Sequence, residues 1–79
     1  MDFYELAKEL ALVRKNKNIS QQIISKDLSI SRATISNFES GASSDIGLKK
    51  VLQIADYLGY EISLKEKSPF PIFEDIING

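Results

Sequence analysis

This chain of 79 residues contains no cysteine, no histidine and no tryptophan. Without cysteine it can form neither a disulfide framework nor a thiolate metal site, and without histidine it lacks the commonest general base and metal ligand. Its carboxylates are scattered along the sequence, and its hydroxyl side chains have no histidine to activate them. We therefore expect no catalytic residue, no metal site and no cofactor, and an enzyme is the least expected class.

The sequence also has no apolar run that approaches the length of a membrane span. Its first ten residues, MDFYELAKEL, are acidic and amphipathic, whereas a signal peptide would be basic and then apolar. A cytoplasmic protein without a membrane segment is therefore expected. The length suffices for one small domain, and the marginal core of a chain this short favours dimerisation as a further source of stability.

A net charge of −1 is unusual for a nucleic-acid-binding protein, but the charges are distributed unevenly. Residues 8–50 hold eight Lys or Arg against four acidic residues, whereas residues 51–79 hold two against five. The local positive surplus is the electrostatic footprint that nucleic-acid binding requires. A surplus of this size also arises by chance in a chain with 27% charged residues.

The stretch over residues 20–41 predicts two short helices joined by a tight turn, the arrangement called a helix-turn-helix. Ser20 is a suitable cap for a helix over residues 21–28. The serines on either side of Ile30 break that helix, because serine side chains hydrogen-bond to their own backbone, and Ser31 caps a second helix over residues 32–40. The inward face of the first helix is predicted to hold Ile23, Ile24 and Leu28.

The second of these helices has two distinct faces. Ile35, Phe38 and Glu39 share one, and the other holds the small or polar residues Ala33, Ser36, Asn37 and Ser40. Small side chains let a helix backbone approach a flat partner closely, as a helix in the DNA major groove requires, while Arg32 and Asn37 reach outward. On periodicity alone, two amphipathic helices of an ordinary bundle explain the pattern equally well.

Particular residues of this stretch resemble the DNA-binding domain of Xre/Cro-type repressors, over about residues 5–59. The matching positions are Gln21, Leu28, Ile30-Ser31-Arg32, Thr34-Ile35-Ser36, Glu39 and Gly41. The run from Ala33 to Glu39 is most similar to HipB-type antitoxins, which repress their own operon and bind a HipA-type kinase toxin. The resemblance implies an all-α, lambda-repressor-like bundle of four to five helices. It also implies an ion pair between Arg14 and Glu39, whereas periodicity alone makes Arg14 a solvated surface cation.

Helical periodicity predicts one further helix before this stretch and one after it. Asp2 is a suitable cap for a helix over residues 3–16, and either Gly47 or Asp45 can cap a helix over residues 48–58 that closes the core. The apolar residues of this last helix are Leu48, Val51, Leu52, Ile54, Ala55 and Leu58, and those that the core does not need can face a second copy.

After Gly59 the apolar period changes from helical to alternating, which predicts a short strand over residues 60–64. The chain offers no second strand, so the backbone groups of this one either pair with another copy or stay solvated. The resemblance to HipB-type antitoxins favours pairing, because those proteins join their C-terminal strands across a dimer. The predicted dimerisation residues are Tyr60, Ile62 and Leu64, within a segment 60–67 that follows the DNA-binding domain 1–59.

Residues 68–79 form a C-terminal tail that is unusually apolar for the end of a chain. Pro69 and Pro71 restrict its conformation, and Phe70 and Phe73 are the predicted anchors, because aromatic side chains most often carry interface energy. Docking on its own domain, on a second subunit and on a partner protein are equally compatible with this composition.

The leading hypothesis is a dimeric operator-binding repressor that acts as the antitoxin of a HipA/HipB-like pair. The residues predicted to read the operator bases are Arg32, Ala33, Ser36 and Asn37. Those predicted to contact the DNA phosphates are Gln21, Ser31, Thr34 and Lys49. Its partners are double-stranded operator DNA, a second copy and a HipA-type kinase toxin. The alternatives are a stand-alone Xre-family regulator and a protein-interaction module that does not bind DNA.

Overall fold

The computed structural model describes residues 1–42 and 46–67, and these residues form four helices. Helix α1 spans Phe3–Asn16, α2 spans Gln21–Leu28, α3 spans Arg32–Ser40 and α4 spans Leu48–Tyr57. The all-α class and the predicted helix-turn-helix, which is the pair α2 and α3, are therefore confirmed. No helix within these described residues is long and apolar enough to cross a membrane.

Side-chain caps explain where the first three helices begin. The amide of Glu5 donates to Asp2 at 2.8 Å, that of Ile23 to Ser20 at 3.0 Å and that of Thr34 to Ser31 at 3.1 Å. Each cap satisfies an amide that has no acceptor inside its own helix. Helix α4 begins after Gly47, and the other candidate cap, Asp45, lies outside the described residues.

The turn between α2 and α3 is held by a residue in the left-handed conformation. Ser29 has φ 55°, a value that non-glycine residues seldom adopt. The amide of Ile30 donates to the carbonyl of Ser25 at 3.1 Å, and the Ser25 hydroxyl donates to the carbonyl of Ile30. These two bonds offset the backbone strain at Ser29 and fix the angle between the two helices.

The core lies where the four helices meet. Its largest fully buried side chains are Phe38, Ile24, Ile35, Leu58 and Val51. Ile30 is only 5% exposed, so it fills the angle between α2 and α3. The inward placement of Ile23 is wrong, because it lies one residue, or about 100°, from the buried Ile24 and is 50% exposed. Leu48 and Leu52 are also exposed, at 71% and 41%.

Residues 60–67 have no regular secondary structure in the single chain, so the strand expected over 60–64 is not formed there. A strand needs a neighbouring backbone to accept and donate its hydrogen bonds, and the described residues supply none. The segment still begins against the domain, since the amide of Tyr60 donates to the carbonyl of Ala55 at 2.9 Å. The tail, with Phe70 and Phe73, lies outside the described residues.

Replacing Gly41 by alanine is expected to lower the free energy of unfolding by about 1–2 kcal/mol, which is the left-handed backbone penalty of an L-residue. Gly41 ends α3 with φ 78°, and a Cβ atom there would overlap the ring of Tyr4. Tyr4 is 47% exposed and can turn aside, so the backbone strain dominates. Urea denaturation measures the change.

Gly41→Asn is the matched control, because asparagine tolerates the left-handed region, and it should lose less stability than Gly41→Ala. Equal stability of the alanine variant and the parent chain would contradict a fixed left-handed C-cap.

Candidate nucleic-acid interface

Helix α3 presents one side to the core and the other to solvent. Ile35 and Phe38 are 1% and 0% exposed, which fixes the rotation of the helix about its axis. Three of the four predicted base readers, Arg32, Ala33 and Asn37, are exposed, and the fourth, Ser36, is half-buried beside them. The structure thus places all four on α3 away from its buried side.

The N-terminus of α3 holds two hydroxyl groups, those of Ser31 and Thr34. Their oxygens lie 2.7 Å apart, and the Ser31 oxygen also accepts from the Thr34 amide. Whichever hydroxyl donates in this pair, the other retains a hydrogen that can be donated to an external acceptor. The positive end of the helix dipole lies at the same point, and the combination suits a phosphate oxygen.

A bidentate ion pair joins α1 to the last turn of α3. Arg14 Nε lies 2.7 Å from one carboxylate oxygen of Glu39, and its Nη2 lies 2.9 Å from the other. The third guanidinium nitrogen, Nη1, donates to the carbonyl of Ile19 at 2.6 Å. The side chains of Arg14 and Glu39 are only 8% and 10% exposed, so the ion pair is largely buried. All three guanidinium nitrogens of Arg14 donate a hydrogen bond.

Gln21 extends this network to the start of α2. Its Nε2 donates to Glu39 Oε1 at 3.0 Å, so Glu39 is held by residues of α1 and α2 together. Gln21 keeps its second amide hydrogen and its carbonyl oxygen for other contacts. Sequence reasoning missed this bond, since the two residues are far apart in the chain and no spacing rule connects them.

A second link, between α4 and α2, was also absent from the sequence reasoning. The hydroxyl of Tyr57 donates to the carboxylate of Asp27 at 2.6 Å. This hydrogen bond, together with partial burial and the negative charge of Asp27, raises the pKa of Tyr57 above its ordinary value of 10.0. The hydroxyl therefore stays protonated and bonded at neutral pH, and the link is lost only as pH rises past that raised value.

The four predicted phosphate-contacting residues lie at the starts of three helices. Gln21 is the first residue of α2, Ser31 caps α3, Thr34 lies in the first turn of α3, and Lys49 lies exposed in the first turn of α4. Ser31 and Thr34 contact each other. Within the described part of the chain, no hydrogen bond connects Lys49 to the other three.

The predicted dimerisation residues are all exposed in the single chain. Tyr60 is 55% exposed, Ile62 41% and Leu64 fully so. Tyr60 and Ile62 line a groove together with residues of α1, whereas Leu64 does not.

In the comparison with protein families, a profile described as a helix-turn-helix domain, of a kind found in Xre-type regulators, matches residues 7–64. Neither the comparison with curated proteins nor that with solved structures gave a match. The matched range contains α2, α3 and α4 entirely and most of α1, and it ends before the tail. All eight predicted DNA-contacting residues lie within it.

Proposed function

Because this chain belongs to the helix-turn-helix domain family of Xre-type regulators, we propose that it is a sequence-specific DNA-binding repressor that binds its operator as a homodimer. The observation that carries the proposal is the outer face of α3. It presents Arg32 and Asn37 among small side chains, while the opposite face is fixed in the core. Domains of this family are typically non-enzymatic.

In the proposed mechanism, α3 of each subunit enters one of two successive major grooves, with half-sites about 34–36 Å apart. Arg32 reads a guanine through two parallel hydrogen bonds, and Asn37 bonds to an adenine or a phosphate. Ala33 contacts a thymine methyl group and Ser36 a base edge. Their small size lets the backbone of α3 approach the bases closely enough for these contacts.

The phosphate contacts set the register of the protein on the duplex. The free hydrogen of the Ser31–Thr34 pair, the second amide hydrogen of Gln21 and the ammonium group of Lys49 are the donors. Because Glu39 orients the Gln21 side chain, the Arg14–Glu39 pair contributes indirectly to this contact. Each phosphate that the protein neutralises releases a counterion from the DNA, so each such contact makes the binding affinity more dependent on salt concentration.

We further propose that residues 1–59 form the DNA-binding domain and that residues 60–67 join two copies through paired strands over 60–64. The exposure of Tyr60 and Leu64 in the single chain supports the pairing, as does the backbone of residues 61–64, which has no hydrogen-bond partner among the described residues. Two linked domains then read two half-sites, and the second contact gains from the effective concentration that the first creates.

The partner is proposed to be a HipA-type kinase toxin, bound through Phe70 and Phe73 of the tail. This part of the proposal is supported by the resemblance of the α3 sequence to HipB-type antitoxins. A neighbouring gene for a kinase-like protein, followed by a pull-down with its product, tests it. If there is no such gene and no toxin binds, a stand-alone regulator is favoured. If filter binding shows no salt-dependent binding to DNA, a protein-interaction module is favoured.

Arg32→Ala is expected to weaken operator binding by about 1–3 kcal/mol and to relax base preference at one position in each half-site. Lys49→Ala should instead weaken binding to all sequences similarly and reduce the slope of log affinity against log salt by about one. Filter binding to the operator and to its single-base variants, at several salt concentrations, separates the two effects.

Lys26→Ala, which removes an exposed cation in the last turn of α2, is the control for a general loss of charge. An Arg32 variant with the parent's affinity and base preference would remove Arg32 from the proposed readout.

A further inference from the structure

Two open grooves border helix α1 within the described part of the chain. The first, here called the basic groove, has a volume of about 300 Å³ and is lined by Lys8, Ala11, Leu12, Lys15 and Glu39. The second, of about 350 Å³, is apolar with acidic residues among its lining, and includes Leu6, Leu10, Ile62, Glu9 and Glu61. The two grooves therefore differ in the charge of the ligand that each would accept.

The basic groove combines an exposed apolar side chain with two cations. Leu12 is 57% exposed, and Lys8 and Lys15 lie four residues before it and three after it, on the same face of α1. The charge of Glu39 is already compensated by Arg14, so the lysines give the groove its positive surplus. A cavity of about 150 Å³ can hold a benzene ring, so this groove has room for an aromatic side chain.

We propose that the basic groove is occupied by the tail of the same chain in the free protein, with Phe73 against Leu12. The two acidic residues that directly follow Phe73, at positions 74 and 75, then lie beside Lys8 and Lys15. An aromatic anchor adjoining two carboxylates complements an apolar site flanked by two lysines. The second groove would repel the same segment, since its own acidic residues would face those carboxylates.

The length of chain beyond the described residues permits docking without a second subunit. The described chain ends at Lys67, and Phe73 follows it by six residues. Six residues can span up to about 20 Å, so Phe73 can reach any part of the α1 surface within that distance of Lys67. Pro69 and Pro71 reduce the conformational entropy that docking must overcome. The inference goes beyond the proposed function, since it requires neither operator nor toxin.

Paramagnetic NMR on the full-length chain tests the proposal. Because the chain contains no cysteine, Asn78→Cys introduces a unique site for a nitroxide label. We expect the label to broaden the amide signals of Lys8, Leu12 and Lys15 most strongly. Strongest broadening at Leu6 and Ile62, or no localised broadening, would overturn the proposal.

Charge reversal provides the matched control. Lys8→Glu combined with Lys15→Glu should abolish the localised broadening, whereas Lys17→Glu with Lys26→Glu, an equal charge change at exposed lysines outside the groove, should preserve it. Adding Glu74→Lys and Asp75→Lys to the first variant should restore it. Equal broadening in both reversed variants would overturn the electrostatic part of the proposal.

A mixed sample distinguishes docking within one chain from docking between two. An isotopically labelled chain without nitroxide is mixed with an unlabelled chain that carries it, and the subunits are allowed to exchange. No broadening of the labelled chain is expected. Broadening at Leu12 in this sample would show that the groove holds the tail of a second copy and would overturn docking within the same chain.

Discussion

Replacing Arg14 by methionine is expected to lower the free energy of unfolding by about 3–5 kcal/mol, because the change leaves the Glu39 carboxylate charged and largely buried without its main partner. Glu39 is only 10% exposed, and the single hydrogen bond from Gln21 cannot replace the bidentate fork. The carbonyl of Ile19 also loses its donor. The midpoint of urea denaturation, at an unchanged slope and equal protein concentration, measures the loss.

Two further variants make this result specific to the ion pair. Lys15→Met makes the same kind of change, from a cation to methionine, at the neighbouring exposed residue. It should alter the free energy of unfolding by less than about 0.5 kcal/mol. Arg14→Met combined with Glu39→Leu should recover much of the loss, since apolar residues that replace both partners leave no buried charge unpaired. If Arg14→Met were as mild as Lys15→Met, the pair would be solvated in solution.

Truncation after Gly59 is expected to convert the proposed dimer to monomers and to weaken operator binding on the order of 100- to 10,000-fold, because each half-site is then bound independently. Light scattering on the intact protein should give about twice the chain mass of 8.9 kDa. The truncated protein should give the mass of one chain. Undiminished dimerisation of the truncated chain would show that the interface lies elsewhere, with exposed Leu48 and Leu52 of α4 as the next surface to examine.

A point variant separates loss of the interface from loss of packing within the domain. Leu64 is fully exposed in the single chain, so Leu64→Asp should leave the domain folded while it places like charges on paired strands. Lys65→Asp, on the opposite face of the predicted strand, is the control. Circular dichroism should be unchanged in both, and only the first should lose dimer mass and operator affinity.

The helix boundaries could be predicted because they depend on local chemistry. Asp2, Ser20 and Ser31 each provide an oxygen that caps the helix that follows, and the apolar period locates the body of each helix. The same local pattern identified α3 as the helix with a small polar face. The pairing of α3 with α2 as a helix-turn-helix could also be predicted, because the residues that indicate it all lie within positions 20–41.

Other features depend on which elements become neighbours. The exposure of Ile23 and Leu48 could not be predicted, because an apolar residue at the margin of a helix face is buried only if another element covers it. The left-handed Ser29 was likewise not predicted, since its strain is offset by bonds between Ser25 and Ile30 that form only when the turn closes.

The sequence by itself determined the four helices, the side-chain caps of the first three and the polar face of α3, because each depends on residues within a few positions of one another. The tertiary structure alone decided that Gln21 joins Arg14 at the Glu39 carboxylate and that Tyr57 is bonded to Asp27. It also decided that, of residues 60–64, only Tyr60 finds a backbone partner among the described residues of the same chain, the carbonyl of Ala55. Hydrogen bonds between distant residues, and strand pairing above all, require the fold to bring two segments together, and no local pattern encodes which segments those are.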